Sequence, residues 1–166
     1  MYAIGEYVVH PGQGVCQVKD VTEGPDATYL LMPIGQRHPV HISFPVASED
    51  RLRPVLSRVE AEKIIEDYPV MKLDDFAARN ISLEEEHFRK EIRTGSCRDS
   101  VRIAKTFRMR IADLSRRNKK PPVAYERILK QARERSFLEL SVALGCTPED
   151  VEMLFQTRAG ETPENN

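Results

Sequence analysis

The sequence has no apolar run near the roughly 20 residues that cross a bilayer, so no transmembrane helix is expected. Its opening stretch, MYAIGEYVVHPGQG, lacks a basic start followed by an apolar core, so no secretory signal is expected either. Cysteine is scarce. Cys16, Cys97 and Cys146 are odd in number and far apart, which argues against a disulfide framework and for a reducing cytoplasm. Tryptophan is absent. Also missing are a Walker A sequence, a glycine-rich dinucleotide turn and a nucleophile elbow. Without such a constellation the chain is read as a non-enzyme, with no cofactor and no small-molecule substrate.

The residues that imitate chemistry have plainer readings. His38 and His41 are three apart at a strand entry with no paired cysteines, so surface or core histidines are expected rather than a zinc site. Cys16 lies in a strand pattern and reads as a small buried apolar residue. Glu84, Glu85 and Glu86 read as the solvated first turn of a helix, where carboxylates favour the positive end of the dipole.

What is present is charge, unevenly placed. The 166 residues sum to −1. Residues 1–70 hold six Lys/Arg against ten Asp/Glu, a net of −4, whereas residues 79–135 hold seventeen against eight, a net of +9. Such asymmetry is a prior for nucleic-acid contact by the basic part, with solvated helix faces as the plain alternative. Hydrophobic content of 40% and charged content of 31% fit a folded chain.

The spacing predicts an α+β protein of two domains. In the first, residues 1–55, Tyr7-Val8-Val9, Val15-Cys16-Gln17-Val18, Tyr29-Leu30-Leu31-Met32 and Val40-His41-Ile42-Ser43-Phe44 are short β patterns separated by Gly/Pro punctuation. They predict a small SH3/Tudor-like β-barrel. The second, residues 56–160, predicts an all-α helical bundle; residues 161–166 read as a tail. Ser57 with Glu60 forms a capping box for a helix ended by Pro69. A connection follows, with one helical turn near Asp74. Ser82 is the expected cap of the next helix, which stops at Gly95. Val101, Ala104, Phe107, Ile111 and Leu114 then mark one buried helical face. Pro122 is expected at the first position of a helix ending at Gly145, and Thr147 with Asp150 caps the last.

The helix from Arg98 carries the chemistry. Arg98, Arg102, Lys105, Arg108, Arg110, Arg116, Arg117, Lys119 and Lys120 face only Asp99 and Asp113 within residues 98–120, a net of +7. Guanidinium forks suit phosphate. No motif places a side chain to read bases, so backbone and shape contacts are expected. Lys119 and Lys120 also have a helix-dipole explanation.

The order of features resembles the CarD/CdnL family of RNA polymerase-binding transcription regulators. The stretch Ile4-Gly5-Glu6-Tyr7-Val8-Val9-His10-Pro11-Gly12-Gln13-Gly14-Val15 is similar to that family's opening motif, which transcription-repair coupling factors also carry. Tyr29-Leu30-Leu31, Ile42-Ser43-Phe44-Pro45-Val46 and Leu52-Arg53-Pro54-Val55 fall in the order of its later strands. Ile92-Arg93-Thr94-Gly95 and Leu138-Glu139-Leu140-Ser141-Val142-Ala143 resemble its helical part. The resemblance implies that Val40, His41, Ile42, Ser43 and Phe44 pair as an edge strand with the polymerase β-subunit. It also implies promoter DNA as a second partner, stabilised during opening by an apolar wedge. Family members use tryptophan there; counting back from Gly95 puts Ile81 at that place. The expectation is a bacterial, cytoplasmic regulator of open-complex formation that contacts DNA without sequence specificity. The alternative is a protein–protein adaptor on polymerase that does not touch DNA.

Overall fold

The computed structural model describes residues 1–159. The tail expected at 161–166 lies outside them. The chain divides into two compact units, Met1–Leu56 and a second that begins at Ser57. Strands fill the first and helices the second, an α+β composition.

The first unit is one antiparallel sheet of β1 (Tyr7–His10), β2 (Gly14–Val21), β3 (Thr28–Pro33), β4 (Ile42–Pro45) and β5 (Arg53–Pro54), in the order β4-β3-β2-β1-β5. The order is open. The expected barrel is therefore a five-stranded sheet with β4 and β5 at its edges, and no ladder joins those edges among the described residues. Alternation puts Val8, Cys16, Val18, Tyr29, Leu31 and Phe44 on one face, where with Leu52 they form the core. Cys16 is a fully buried member of it. The turn between β1 and β2 has a local cause: His10 Nδ1 accepts from the amides of Gly12 (3.0 Å) and Gln13 (3.1 Å), and Gly14 takes φ 74°. That left-handed backbone favours glycine.

The second unit holds α1 (Arg58–Asp67), α2 (Ile81–Thr94), α3 (Cys97–Arg116), α4 (Val123–Leu144) and α5 (Pro148–Ala159). The long α4 is the hub and packs on the other four. Phe88 and Ile92 of α2, Ile103, Ala104 and Phe107 of α3, and Ile128 and Ala132 of α4 form the core. Phe107 meets Phe88 and Tyr125 edge-on at 4.9 and 5.0 Å, a favoured geometry for the ring quadrupoles.

The helix ends follow capping chemistry, with three departures from the sequence expectation. Ser57 and Glu60 form the expected box. Ser96 and Asp99 form another at α3, which starts at Cys97 rather than Arg98. The cap of α2 is Asn80, not Ser82: its Oδ1 accepts from the Leu83 amide at 2.9 Å, so Ile81 is the first helical residue. Pro122 stands just before α4, as its N-cap, rather than at the first position. Gly145 ends α4 in the left-handed region, and Thr147 and Asp150 exchange hydrogen bonds at the start of α5.

The connection between α1 and α2 differs most. A 3₁₀ turn, Tyr68–Val70, leads into residues 71–80, which form no helical turn near Asp74. Side chains of α3 hold this strap's backbone groups instead. Lys105 donates to the carbonyls of Tyr68 (2.7 Å) and Met71 (2.8 Å), Thr106 Oγ1 accepts from the Asp74 amide (2.9 Å), and Arg110 donates to the carbonyls of Asp74 (3.2 Å) and Phe76 (2.8 Å). Positions 102, 105, 106 and 110 share one face of α3. Backbone groups satisfied from outside need no intrahelical partners, so the segment stays extended.

Candidate interaction surfaces

The sheet offers two edges of unequal quality. β5 is two residues long and ends in Pro54, which cannot donate. β4 is four residues long and pairs along its whole length with β3, in the register Thr28↔Pro45, Tyr29↔Phe44, Leu30↔Ser43 and Leu31↔Ile42. The Val46 amide donates to the Ala27 carbonyl at 2.9 Å, directly after this ladder. Hydrogen-bonded pairs alternate in an antiparallel ladder, so Phe44 and Ile42 face β3 with their backbone groups, and Ser43 turns its N–H and C=O outward. The side chains divide oppositely: Phe44 is buried and Ile42 half-buried, while Ser43 is exposed. Val40 and His41, expected within the strand, precede it. Both are exposed, Val40 at 73%. No hydrogen-bonded ladder holds them, which is why the strand begins at Ile42.

The basic helix is largely committed to its own unit. Arg98 pairs with Asp67 of α1 at 3.0 Å. Arg102 is gripped by Asp99 at 2.7 Å, by Asp74 at 3.5 Å, and by Glu91. Lys105 caps the carbonyl end of the 3₁₀ turn and lies 5.1 Å from the Tyr68 ring centroid; burial pushes its ammonium below the usual lysine range. Arg108 donates to the Tyr68 hydroxyl at 3.0 Å. Arg110 adds an ion pair to Glu84 at 3.8 Å and stacks over Phe107 and Phe88 at 4.9 and 5.7 Å. Arg117 pairs with Asp113 at 3.0 Å.

Arg116, Lys119 and Lys120 remain. They are exposed, and none of their side chains has an ion pair or hydrogen bond among the described residues. They lie in and beside the turn from α3 to α4, where Asn118 takes φ 56°. The first turn of α2 sits at the same end of the bundle. Glu84 reaches Arg110 of α3 and the Tyr125 hydroxyl of α4 (3.4 Å), and Glu85 takes two bonds from Arg127 of α4 at 2.8 and 3.0 Å. Ile81 and Leu83, 43% and 50% exposed, therefore stand at the end of the unit that carries the free cations. The acidic run beside Ile81 is neutralised in two of its three members. Glu84 is buried and Glu85 half-buried, and only Glu86 is solvated as the sequence reading expects of all three.

Sequence reasoning missed Asp74, Glu91 and Asn80. The Asp99–Arg102 pair at i,i+3 was readable. Asp74 and Glu91 come from other elements, and no local spacing announces them. Among the described residues no group of three or more His, Cys, Asp or Glu is placed to hold a metal, and no helix is long and apolar enough to cross a membrane.

Residues 2–56, the span of the first unit, match the family model of the CarD-like/TRCF RID domain, a module of CarD/CdnL type. The match supports an RNA polymerase-interacting, transcription-related protein and a protein-interaction domain rather than a catalytic one. No curated protein matches the chain.

Proposed function

We propose that this chain is a bacterial, cytoplasmic transcription regulator that binds the RNA polymerase β-subunit through the outer edge of β4 and contacts promoter DNA without reading its sequence. The first unit, Tudor-like in this reading, adds the strand from Val40 to Phe44 to a partner sheet. The observation that carries this is the free β4 edge within the span that matches the polymerase-interacting family. Main-chain bonds at Ser43 supply the pairing, and the blunted β5 edge competes poorly. The second unit supplies the DNA contact through Arg116, Lys119 and Lys120, with Ile81 as the apolar wedge that favours an opening bubble.

The test is capture of a polymerase β-subunit fragment by the full chain and by Ser43→Pro. Proline at 43 removes an outward N–H and spares the ladder to β3, so the variant keeps its sheet and loses capture. Proline at Ile42 would break the bond to Leu31 and is the unfolding control. Failure of the intact chain to capture the fragment, or full capture by Ser43→Pro, overturns the β4 assignment.

The internal pairing of Arg98, Arg102, Lys105, Arg108, Arg110 and Arg117 favours one second reading, an adaptor that does not touch DNA. Binding to a forked promoter fragment at low salt separates the two; no binding leaves the adaptor.

A further inference from the structure

Arg110 occupies an unusual junction. Its Nη2 donates to both strap carbonyls, Asp74 at 3.2 Å and Phe76 at 2.8 Å. Its Nη1 faces the Glu84 carboxylate of α2 at 3.8 Å. Its plane lies over two core rings, Phe107 and Phe88. The side chain is 22% exposed. A guanidinium has five donors in a fixed fork, and here Nη2 is committed to two carbonyls and Nη1 faces a carboxylate. A phosphate would have to compete with these groups for its Nη atoms.

The groups it holds define one end of the unit. Phe76 stacks on His87 at 3.6 Å and meets Phe88 edge-on, so the strap is seated on α2 as well as on α3. Glu84 Oε1 accepts from the Ala78 amide at 3.3 Å and so ties the strap's end to the first turn of α2. Ile81 is one turn before Glu84. Arg116 is six residues beyond Arg110, about 9 Å along the helix at 1.5 Å per residue. One side chain thus links the segment that leads into Ile81, the helix turn that carries it, and the helix that ends in the free cations.

We infer that Arg110 is a positioning residue for nucleic-acid contact: it sets the register of the Ile81 turn against the Arg116–Lys120 turn and does not itself touch phosphate. The inference rests on the reading that this end of the helical unit meets DNA. It divides a uniformly basic helix into two jobs. Arg110 and Lys105 organise the strap, and Arg116, Lys119 and Lys120 face the ligand. Lysine at 110 keeps the charge but cannot serve two carbonyls, a carboxylate and two ring faces together.

The experiment measures the affinity of the full chain for a forked promoter duplex over a salt series, with hydrogen exchange on the same proteins. Lys119→Ala with Lys120→Ala should flatten the log–log salt slope by about 0.9 for each phosphate that is no longer neutralised. Arg110→Lys and Arg110→Gln should both weaken binding by roughly fivefold to tenfold, the scale of a broken buried hydrogen-bond set, and leave the slope as in wild type. The penalty of Ile81→Ala should vanish in the Arg110→Lys background, since an unregistered wedge has nothing left to lose. Exchange should accelerate at residues 74–83 in Arg110→Lys while the core of α3 stays protected. Wild-type affinity in Arg110→Lys, or a flattened slope in Arg110→Gln, makes Arg110 a phosphate contact and overturns the inference. Unchanged exchange at residues 74–83 overturns it without reference to DNA. No DNA binding by the wild type removes the DNA reading and, with it, the functional half of the inference; because exchange is read without DNA, that failure is distinguishable from failure of the clamp.

Discussion

Glu85 and Arg127 form a two-pronged ion pair, 2.8 and 3.0 Å, that joins the first turn of α2 to α4. The Arg127 hydrogen bonds hold the Glu85 carboxyl below its ordinary value of 4.5, against the opposing pull of burial. A depressed carboxyl stabilises the fold fully above the unfolded value, and the contribution drains away as pH falls through the folded one. Chemical denaturation of wild type and Glu85→Gln should differ by about 0.5–1 kcal/mol near neutrality, a modest gap because Arg127 is half exposed to solvent. The two curves should converge as pH falls below the ordinary carboxylate range. A gap that persists in acid would show that the glutamine variant fails for some reason other than charge.

Lys105 is a helix cap supplied from another helix. Its ammonium donates to the carbonyls of Tyr68 and Met71, and more weakly to Pro69 at 3.4 Å. Lys105→Met keeps the stem and deletes the donors, leaving partly buried carbonyls unpaired. We expect a loss of about 1–3 kcal/mol in the helical unit, read as a lower urea midpoint. A midpoint equal to wild type would mean that water caps those carbonyls as well as the lysine does.

Gly95 connects α2 to α3 where there is no room for a side chain. A Cβ there would lie 2.6 Å from the Glu91 carbonyl oxygen and 2.8 Å from Asp99 Oδ2. The first is backbone and the second is half of the α3 capping box. Gly95→Ala should cost about 1–3 kcal/mol, as overpacking does elsewhere, with α3 fraying at its start by hydrogen exchange. Unaltered protection at Asp99 to Val101 would contradict this.

In the sheet unit, Tyr29 is fully buried; its hydroxyl donates to Glu49 at 2.5 Å and accepts from the Tyr2 amide at 3.0 Å. Tyr29→Phe strands both partners and should cost about 1–2 kcal/mol. Burial and then Glu49 push the phenol above its ordinary 10.0. The folded state therefore holds this proton more tightly than the unfolded one, and the wild-type sheet should lose stability as pH rises above 10.0. The phenylalanine variant should show a weaker alkaline limb, the remainder belonging to Tyr2, whose phenol burial and Glu49 also push up. An identical limb in both proteins would assign it to another group.

Sequence alone determined most of the elements and the likeness of the first unit to a polymerase-interacting module. β alternation at Ile42 and Phe44, the Ser57–Glu60 box and the 3–4 spacing of Val101, Ala104 and Phe107 are local patterns, and local patterns are written in consecutive residues. The opening His10-Pro11-Gly12-Gln13-Gly14 stretch is local too, because His10 closes its own turn. What the charges of α3 do was decided only by the tertiary structure. Counted along the chain, nine cations read as one basic surface. In the fold, Asp67, Asp74, Glu84 and Glu91, the Tyr68 hydroxyl and the carbonyls of residues 68–76 arrive from other elements and engage five of the nine, and Arg117 pairs with Asp113 of its own helix, leaving Arg116, Lys119 and Lys120 facing solvent. A cation's partner is set by distance in space rather than by spacing in sequence, so only the packed structure could separate the charges that build the helical unit from those left facing solvent.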